Sequence, residues 1–273
     1  MNDALDELYA VSRDHIAAFV RDGHVTTRGI LDAEGIAEWE PAFTTLVDRL
    51  KRDHGPLAER KSTYQKAFLA AGNLWRQDET ARRFVLARRF AGIAADLLGV
   101  DRVRLYHDQA LFKEPGGGPT PWHQDQHYWP LDTTKTVTMW LALSHAPLEA
   151  GALVFASGSH REEALAPMGI GDDSAAHFHR LIRERDFPMK TQDLSAGDAT
   201  WHAGWTIHKA PSNGCSFIRK AMTVIYYADG ARIPATLTEA KELDRAAFLP
   251  ECLPGDRAAG DLCPLIFDRD DLN

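Results

Sequence analysis

The chain has 273 residues, of which 44% are hydrophobic and 26% charged, and it carries a formal net charge of −8. This is an ordinary globular composition, and the acidic balance argues against nucleic acid or another polyanion as the partner. The sequence contains no run of about eighteen apolar residues, so it predicts no membrane-spanning helix. We therefore expect a globular protein whose partner is a small molecule, with no nucleic-acid or membrane partner.

Cysteine usage and the first residues both predict a cytoplasmic location. The three cysteines, Cys215, Cys252 and Cys263, form no C-x-x-C pair, and one of them would remain unpaired in any disulfide scheme. A reducing compartment is the simplest account of this pattern. The opening residues, "MNDALDELYAVSRD", are acidic and lack the apolar stretch of a secretory signal.

The N-terminal part has the spacing of two helices around a short strand. Apolar residues recur at helical spacing through residues 3–22, where Gly23 provides a stop signal. The next segment, "HVTTRGIL" at 24–31, is predicted to form a short strand. A second helix is predicted over residues 33–53, and Pro41 predicts a break or kink in its first half.

Residues 77–98 have the clearest helical pattern, with an apolar stripe along one side and Gly99 as the stop signal. Four arginines fall in this helix, in the run "ARRFVLARRF" at 81–90. Pairs of arginines seven residues apart form a solvated helix face as readily as a phosphate site. We interpret them as a solvated face, because charge runs usually only solvate a surface.

Beyond residue 101 the pattern changes to that of strands. In "VRLYHDQALFKEPG", residues 103–116, alternate side chains point to opposite faces, so that His107, Gln109 and Lys113 share one face. Further strands are predicted at 135–147, 151–160 and 220–230. Short, regularly spaced strands after a helical lead-in are typical of a barrel or jelly roll with helices packed outside. The predicted fold is therefore mainly β with flanking α-helices.

We expect a single domain over residues 1–273. Its predicted parts are a helical lead-in at 1–100, a jelly-roll core at 101–235 and a C-terminal extension at 236–273. The core contains an insertion, 161–193, that lacks a strong strand pattern. Long insertions in compact domains often act as lids or binding loops.

A candidate metal half-site lies in "TPWHQDQHYWP", residues 120–130. On a strand, His123 and Asp125 would point to the same side, because residues two apart share a face. One imidazole and one carboxylate need only a second histidine to form a two-histidine, one-carboxylate facial triad. Such a triad leaves three adjacent positions open, as non-heme Fe(II) requires for a cosubstrate and dioxygen. Alone, the H-x-D pair is a weak signal, because it is common by chance.

A second histidine and a possible carboxylate clamp are found in "GDATWHAGWTIHKAPSNGCSFIRKAM", residues 197–222. Arg219 follows His208 by eleven residues, with the turn "PSNG" between them. Two antiparallel strands joined by this turn would present His208 at the metal and Arg219 one level deeper. A guanidinium is well matched to hold a carboxylate through two hydrogen bonds. His202 competes as the third ligand, but its aromatic neighbours favour a packed residue behind the ligands, and the spacing to Arg219 favours His208.

Taken together, these segments resemble the phytanoyl-CoA dioxygenase (PhyH) family of Fe(II)- and 2-oxoglutarate-dependent oxygenases. The resemblance rests on segments that follow the family order over most of the chain. They are "GHVTTRGIL", "FKEPG" followed by "WHQDQHYWP", "TMWLALSHAPLEAGALVFASGSH" and "GDATWHAGWTIHKAPSNGCSFIRKAMTVIYY". The resemblance implies a cupin-like double-stranded β-helix, with the metal between its two sheets. It also implies Fe(II), 2-oxoglutarate and O₂ as the cofactor and cosubstrates of a non-heme iron dioxygenase.

The same resemblance assigns roles to individual residues. The implied catalytic iron ligands are His123, Asp125 and His208, and Arg219 would hold the distal carboxylate of 2-oxoglutarate. Further residues expected around the cosubstrate are Lys113, Trp140, Gln109 and Thr138. The family often has serine two residues after the distal histidine, where this chain has Ala210. We expect Thr136, Thr138 or water to replace the missing hydroxyl.

The expected substrate pocket is aromatic, and this bears on the reaction. Its predicted residues are His127, Tyr128, Trp129, His107 and Trp205. Such a pocket suits a small hydrophobic natural product, as expected for secondary-metabolite or antibiotic biosynthesis. An unactivated C–H bond would be hydroxylated, or oxidised with cyclisation or epimerisation, with release of succinate and CO₂. Asp125 argues against halogenation, because related halogenases have a small residue at that position.

Three alternatives remain open at this point. One is an acyl-CoA hydroxylase of the same family, for which the arginines at 81–90 would be the phosphate site. Another is a cupin-type metal enzyme that does not use 2-oxoglutarate and has no need of Arg219 or Lys113. The third is a non-catalytic binding module built on the same barrel.

Overall fold

The computed structural model describes residues 5–51, 54–165 and 169–272, which form two antiparallel sheets with helices on the outside. The large sheet has the order β1 (His24–Thr27), β8 (Ala199–Ala203), β5 (Thr136–Ala142), β10 (Ala221–Ala228), β3 (Arg102–Phe112) and β11 (Leu265–Asp268), and β2 (Leu69–Gly72) also pairs with β3. The small sheet has the order β4 (Thr120–His123), β9 (His208–Ala210), β6 (Val154–Ala156) and β7 (Met189–Thr191). The predicted mainly β fold is confirmed.

Helices cover the outer face of the large sheet. The α-helices are α1 (Arg13–Asp22), α2 (Ala33–Lys51), α3 (Thr63–Ala67), α4 (Glu79–Val85), α5 (Arg88–Leu98), α6 (Asp172–Glu184) and α7 (Glu239–Phe248). The largest apolar cluster joins α2, α4 and α5 to the sheet, with Phe84 in contact with both Phe43 and Phe90 at ring distances of 5.0 Å. Burial of these rings removes a large apolar area from water, which is the main stabilising contribution to such a core.

The helices differ from the sequence expectations in three places. The predicted helix over 3–22 begins only at Arg13, because the Ser12 side chain accepts the backbone N–H of His15 and caps the helix there. Residues 3 and 4 of that prediction, and residues 52 and 53 of the helix predicted over 33–53, lie outside the described residues. The helix over 33–53 does not break at Pro41, since the buried residues on either side of the proline hold it against the core.

The predicted helix over 77–98 is in fact two helices, α4 and α5. Ala87, between them, has φ −61° and ψ 127°, which is extended backbone and therefore ends one helix before the next begins. The predicted stop at Gly99 is confirmed, because Gly99 has the left-handed conformation expected of a helix C-terminus.

Segments outside the predicted core range also contribute to the sheets. The lead-in provides β1 and β2, and the C-terminal extension provides β11. The insertion over 161–193 contains α6 and β7, so the absence of a strand pattern did not mean an absence of regular structure. Phe178 and Ile182 of α6 pack with Trp122 of β4, which buries the apolar side of α6 on the strand that leads to the candidate metal centre.

None of the described helices is long and apolar enough to cross a membrane. The three cysteines have free thiols: Cys252 and Cys263 are buried, and Cys215 is partly exposed.

Candidate metal centre and cosubstrate pocket

The three predicted ligands converge where β4 ends and β9 begins. His123 is the last residue of β4, His208 is the first residue of β9, and the two are cross-strand partners. Asp125 lies in the short turn Asp125–His127 that follows β4. One donor atom from each of the three residues lies within 4.8 Å of the others. The structure therefore brings together two imidazoles and one carboxylate, the donor set of a non-heme iron site.

The convergence has a different cause from the one expected. Asp125 does not lie on a strand, so a tight turn, rather than side-chain alternation, brings it next to His123. Two buried glutamines hold this turn in place. The amide of Gln124 donates to the carbonyls of two neighbouring loops at 2.7 Å each, and the side chain of Gln126 accepts a hydrogen bond from the hydroxyl of Thr136.

The two histidine rings are oriented with Nε2 towards the centre. Nδ1 of His123 donates to the carbonyl of Pro121 at 2.8 Å, and Nδ1 of His208 donates to the carbonyl of Thr206 at 2.9 Å. A carbonyl only accepts, so each Nδ1 carries the proton and each neutral ring offers the Nε2 lone pair. These Nε2 atoms lie 3.3 and 3.6 Å from Oδ1 of Asp125. Burial lowers the pKa of His208 well below its usual value, with the adjacent His123 adding to the effect.

The second carboxylate oxygen of Asp125 has its own partners. Oδ2 accepts a hydrogen bond from the Thr138 hydroxyl at 3.2 Å and lies 3.2 Å from Nε2 of His202. Burial alone would raise the pKa of Asp125, but the adjacent imidazoles of His208, His123 and His202 outweigh it and hold that pKa well below its usual value. Thr138 and His202 thus contact a candidate ligand, and both also line the cavity at the metal centre.

Arg219 is fully buried behind the wall of the same site. Its guanidinium lies 4.9 Å from the Trp140 ring and 5.6 Å from the Phe68 ring, and its Nη1 donates to the carbonyl of Leu111 at 2.8 Å. Nε and Nη2, which together form one edge of the guanidinium, have no hydrogen-bond partner among the described residues. Burial lowers the pKa of Arg219 to about 9, yet the group remains a cation at neutral pH.

Lys113 is buried beside Arg219, and the two residues form a backbone bridge. Its Nζ donates to the carbonyls of Gly118 and Pro211 at 2.7 and 2.9 Å. Burial, and then the charge of Arg219, lower the pKa of Lys113 to about 7. Two buried cationic side chains with no described carboxylate to pair with are costly. An anion bound at the free edge of Arg219 would satisfy both unused N–H groups, so the residues present fit the distal carboxylate of 2-oxoglutarate.

Another hydroxyl that the sequence did not predict lies opposite Ala210. Thr136 and Thr138 use their hydroxyls on Gln126 and Asp125. Thr120, however, is the cross-strand partner of Ala210 and lines the cavity at the metal centre. Its buried Oγ1 has no hydrogen-bond partner among the described residues. The sequence missed Thr120 because it lies about ninety positions from Ala210, and only the register of β4 and β9 brings them together.

A cavity of about 460 Å³ leads from the metal centre between the two sheets. The predicted residues that line it are the three ligands, Gln109, Trp140, Thr138, His107, Tyr128 and Trp129. His127 and Trp205 are not among the described residues that line this cavity, and neither are the buried Arg219 and Lys113. The assignment of His127 and Trp205 to the substrate pocket stays a prediction. His127 belongs to the turn after β4, so strand alternation does not apply to it. Trp205 instead lines a separate depression of about 260 Å³ with Phe19 and His160.

The cavity also has walls that the sequence did not predict. Phe68 lies just before β2, Ile170 lies before α6, and Asp244 and Phe248 lie on α7. None of these residues belongs to a recognisable motif, and each comes from a segment predicted to be a lead-in, an insertion or an extension. A pairing of β2 with β3 and the packing of α7 over the cavity are long-range contacts, which local sequence patterns do not encode.

A facial triad between two antiparallel sheets, with a buried arginine behind it, defines a cupin-fold oxygenase of the Fe(II)/2-oxoglutarate type. Comparison with family models gives the same class. The model of the phytanoyl-CoA dioxygenase (PhyH) family matches residues 19–221, and the chain belongs to this family.

Solved structures with the same fold include two proteins of nogalamycin biosynthesis. The non-heme α-ketoglutarate-dependent carbocyclase SnoK is 24% identical, with a TM-score of 0.77 over 93% of this chain and 96% of that chain. The epimerase SnoN, in complex with Fe³⁺, α-ketoglutarate and nogalamycin RO, is 28% identical, with a TM-score of 0.70 over 93% of this chain and 97% of that chain.

A curated relative is similar over a shorter length. A probable α-ketoglutarate-dependent hypophosphite dioxygenase from Stutzerimonas stutzeri is 26% identical over 150 residues, which are 53% of this chain and 51% of that protein. The chain thus spans about half the length of this curated relative.

Proposed function

We propose that the protein is an Fe(II)/2-oxoglutarate-dependent oxygenase that oxidises an unactivated C–H bond of a small hydrophobic natural product. The observation that carries this proposal is the convergence of His123, Asp125 and His208 in front of a buried Arg219 with two unused N–H groups. For hydroxylation, the C–H substrate, O₂ and 2-oxoglutarate yield the alcohol, succinate and CO₂. Bound Fe(II) and 2-oxoglutarate supply the oxidising chemistry. Cyclisation and epimerisation are variants of the same hydrogen removal.

The residues of the chain hold and orient the iron and 2-oxoglutarate, and they exclude water from the site. His123 and His208 offer Nε2 to iron, and Asp125 offers Oδ1, since its Oδ2 is bound by Thr138 and faces His202. Arg219 binds the distal carboxylate of 2-oxoglutarate along its free edge, where two parallel N–H groups match two carboxylate oxygens.

Two further side chains complete the cosubstrate pocket. Thr120 donates its free hydroxyl to the same carboxylate. It thereby replaces the hydroxyl of the serine that the family often has at the position of Ala210. Lys113 adds positive charge from behind, although its ammonium group already donates to two carbonyls. The buried ring of Trp140 covers the guanidinium of Arg219 and keeps water from it.

The substrate preference rests on the cavity wall and on relatives. Tyr128, Trp129, Ile170 and Phe248 give the outer part of the cavity an aromatic and apolar lining, which suits a bulky hydrophobic molecule. The similarity to SnoK and SnoN, both from nogalamycin biosynthesis, supports a role in natural-product tailoring. The free thiols of the chain support a reducing, cytoplasmic setting.

The acyl-CoA alternative has less support. Arg82 lies over the Trp75 ring at 5.2 Å, Arg83 lies over a tryptophan on α2 at 5.3 Å, and Arg89 donates to a backbone carbonyl at 3.0 Å. These arginines bind their own chain and do not line the cavity among the described residues. Lys209 does line the cavity, but its ammonium lies over the Trp122 ring at 4.7 Å.

Succinate formation tests the proposal against a cupin-type enzyme that does not use 2-oxoglutarate. We expect the Fe(II)-loaded protein to convert 2-oxoglutarate to succinate slowly in air without added substrate. The variant His208→Ala should lose this conversion, and Arg219→Met should require a much higher 2-oxoglutarate concentration. No succinate from the wild-type protein, or equal succinate from His208→Ala, would favour the alternative or a non-catalytic binding module.

A further inference from the structure

The helix α7 places a carboxylate in the substrate part of the cavity. Asp244 lines the cavity together with Phe248, one turn further along the same helix. Both residues lie beyond residue 221, where the match to the family model ends. The structural similarity to SnoK and SnoN covers 93% of the chain and so extends into this part of it.

Asp244 is held in position by a buried tyrosine. The hydroxyl of Tyr106, on β3, donates to Oδ2 of Asp244 at 2.9 Å. Tyr106 is itself fixed because its ring packs against Trp129 and Phe248, at 5.7 and 5.1 Å. His107 stacks on Phe248 at 4.6 Å with an interplanar angle of 20°. The carboxylate is thus oriented by a hydrogen bond, and the side chains around it are aromatic.

The charge of Asp244 is not compensated within the described part of the chain. No described cationic side chain forms an ion pair with it, although Lys241 is one turn away on α7. The ammonium of Lys241 lies 6.0 Å from the Trp205 ring, which belongs to the separate depression. Burial raises the pKa of Asp244 to about 6, so the group is mainly ionised above pH 7. A half-buried carboxylate without a cation is costly, and a cationic ligand would remove that cost.

We propose that Asp244, oriented by Tyr106, is the subsite that binds a protonated amine of the substrate. Aromatic rings beside a carboxylate also favour a cation, because the negative ring faces attract it. The substrate class is then an aromatic or hydrophobic molecule that carries an amino group. This inference rests on the proposed function, because it concerns the substrate of the same site.

Three indole probes of similar shape test the charge preference. They are tryptamine, tryptophol and indole-3-propionate, which carry a cation, a neutral hydroxyl and an anion on similar side chains. Each is titrated anaerobically by calorimetry into protein saturated with Fe(II) and 2-oxoglutarate. We expect tryptamine to bind the wild-type protein at least about tenfold more tightly than the other two.

Three variants test whether Asp244 causes this charge preference. In Asp244→Asn, which keeps the shape and removes the charge, the preference for tryptamine should fall to about threefold or less. Glu239→Gln removes the same charge from an exposed position on α7 and should keep the full preference. In Tyr106→Phe the carboxylate remains, so tryptamine binding should weaken only in part.

The outcomes separate this inference from the proposed function. The inference is overturned if the wild-type protein shows no preference for tryptamine or binds none of the probes. It is also overturned if the preference survives in Asp244→Asn. A tryptophol affinity equal to that of tryptamine also overturns it, because a hydroxyl would then suffice. Binding of Fe(II) and 2-oxoglutarate should be unchanged in Asp244→Asn. The visible charge-transfer band of their complex monitors this binding. Loss of that band in the wild-type protein contradicts the proposed function instead.

Discussion

The two carboxylate oxygens of Asp125 have different roles at the scale of single residues. Oδ1 faces the Nε2 atoms of the two ligand histidines, whereas Oδ2 is bound by Thr138 and faces His202. Partners of this kind fix the orientation of a ligand and commonly affect metal affinity without touching the metal. His202 is thus a positioning residue in this arrangement.

The first prediction concerns His202. We expect His202→Ala to weaken Fe(II) binding by about 10–100-fold, because Asp125 loses one of the two groups that orient it. Anaerobic Fe(II) titration of the apoprotein measures this affinity. His208→Ala should lose binding far more completely. Unchanged affinity in His202→Ala would show that Thr138 alone is sufficient to orient the carboxylate.

The second prediction concerns the hydroxyl of Thr120. We expect Thr120→Val to weaken 2-oxoglutarate binding by about tenfold, since one hydrogen bond to a charged group is lost. The double variant Thr120→Val/Ala210→Ser should recover most of the affinity, because the new serine lies on the cross-strand partner position. Calorimetric titration of the Fe(II) protein with 2-oxoglutarate measures all three affinities.

A matched control for this prediction is available on β8. Thr200 is also a buried threonine whose Oγ1 has no described partner, but it does not line the cavity. Thr200→Val should therefore bind 2-oxoglutarate like the wild-type protein. Equal weakening in Thr200→Val and Thr120→Val would indicate a general packing effect and contradict the assigned role of Thr120.

The sequence predicts residue types at this site better than it predicts their geometry. His123, Asp125, His208 and Arg219 could be selected because few functions need these types at such spacing. The position of His127 could not be predicted, because strand alternation fails where the chain enters a tight turn. Asp244 and Phe68 could not be found, since a single acid or aromatic residue far from a motif carries no local signal.

Sequence patterns are limited in the same way at the scale of whole helices and strands. Strand and helix positions could largely be predicted from periodicity, whereas the break at Ala87 and the continuity through Pro41 depend on packing. The pairing of β1, β2 and β11 with the large sheet joins distant parts of the chain. Local patterns contain no information about such partners.

The third prediction concerns the junction of β3 with the segment after β2. Asp108 is buried and accepts the backbone N–H groups of Leu74 and Trp75 at 2.9 and 3.3 Å. Burial raises the pKa of Asp108 to about 7, although these hydrogen bonds oppose the shift. A raised pKa means that the folded state prefers the protonated acid. The stabilisation that protonated Asp108 gives the folded state is complete below about pH 4, the usual pKa range of an aspartate. This stabilisation is lost as the pH rises through about 7.

Urea unfolding of apoprotein at several pH values measures this effect. The free energy of unfolding of wild type, relative to Asp108→Asn, should fall by about 2–4 kcal/mol between pH 4 and pH 8. The comparison with Asp108→Asn removes the contributions of other titrating groups, which both proteins share. A difference that does not change with pH would contradict the assigned burial of a protonated Asp108.

The fourth prediction concerns the contact of α6 with the small sheet. Phe178 is 1% exposed and packs with Trp122 and Ile182. We expect Phe178→Ala to lower the free energy of unfolding by about 3–5 kcal/mol, because it leaves a cavity in this cluster. Phe217 is 40% exposed, and Phe217→Ala should change the same quantity by about 0.5 kcal/mol or less. Similar effects from both substitutions would mean that α6 is not packed as described.

At the scale of the whole molecule, the metal centre and α7 lie on different sides of the end of the family match. The triad and Arg219 lie in the region matched to the PhyH family, whereas α7 lies beyond it. The chemistry at the metal therefore follows from the family region. Asp244 and Phe248 on α7 line the cavity, and by our proposal they take part in the choice of substrate.

The most direct test of the iron and 2-oxoglutarate site is a spectroscopic titration without oxygen. Fe(II) and 2-oxoglutarate are added anaerobically to the purified protein, and the weak visible charge-transfer band of their chelate is recorded. We expect a band with wild type, no band with His208→Ala, and a band that appears with Arg219→Met only at much higher 2-oxoglutarate concentration. A wild-type protein without the band, or a band unchanged in His208→Ala, would contradict the assignment of this site.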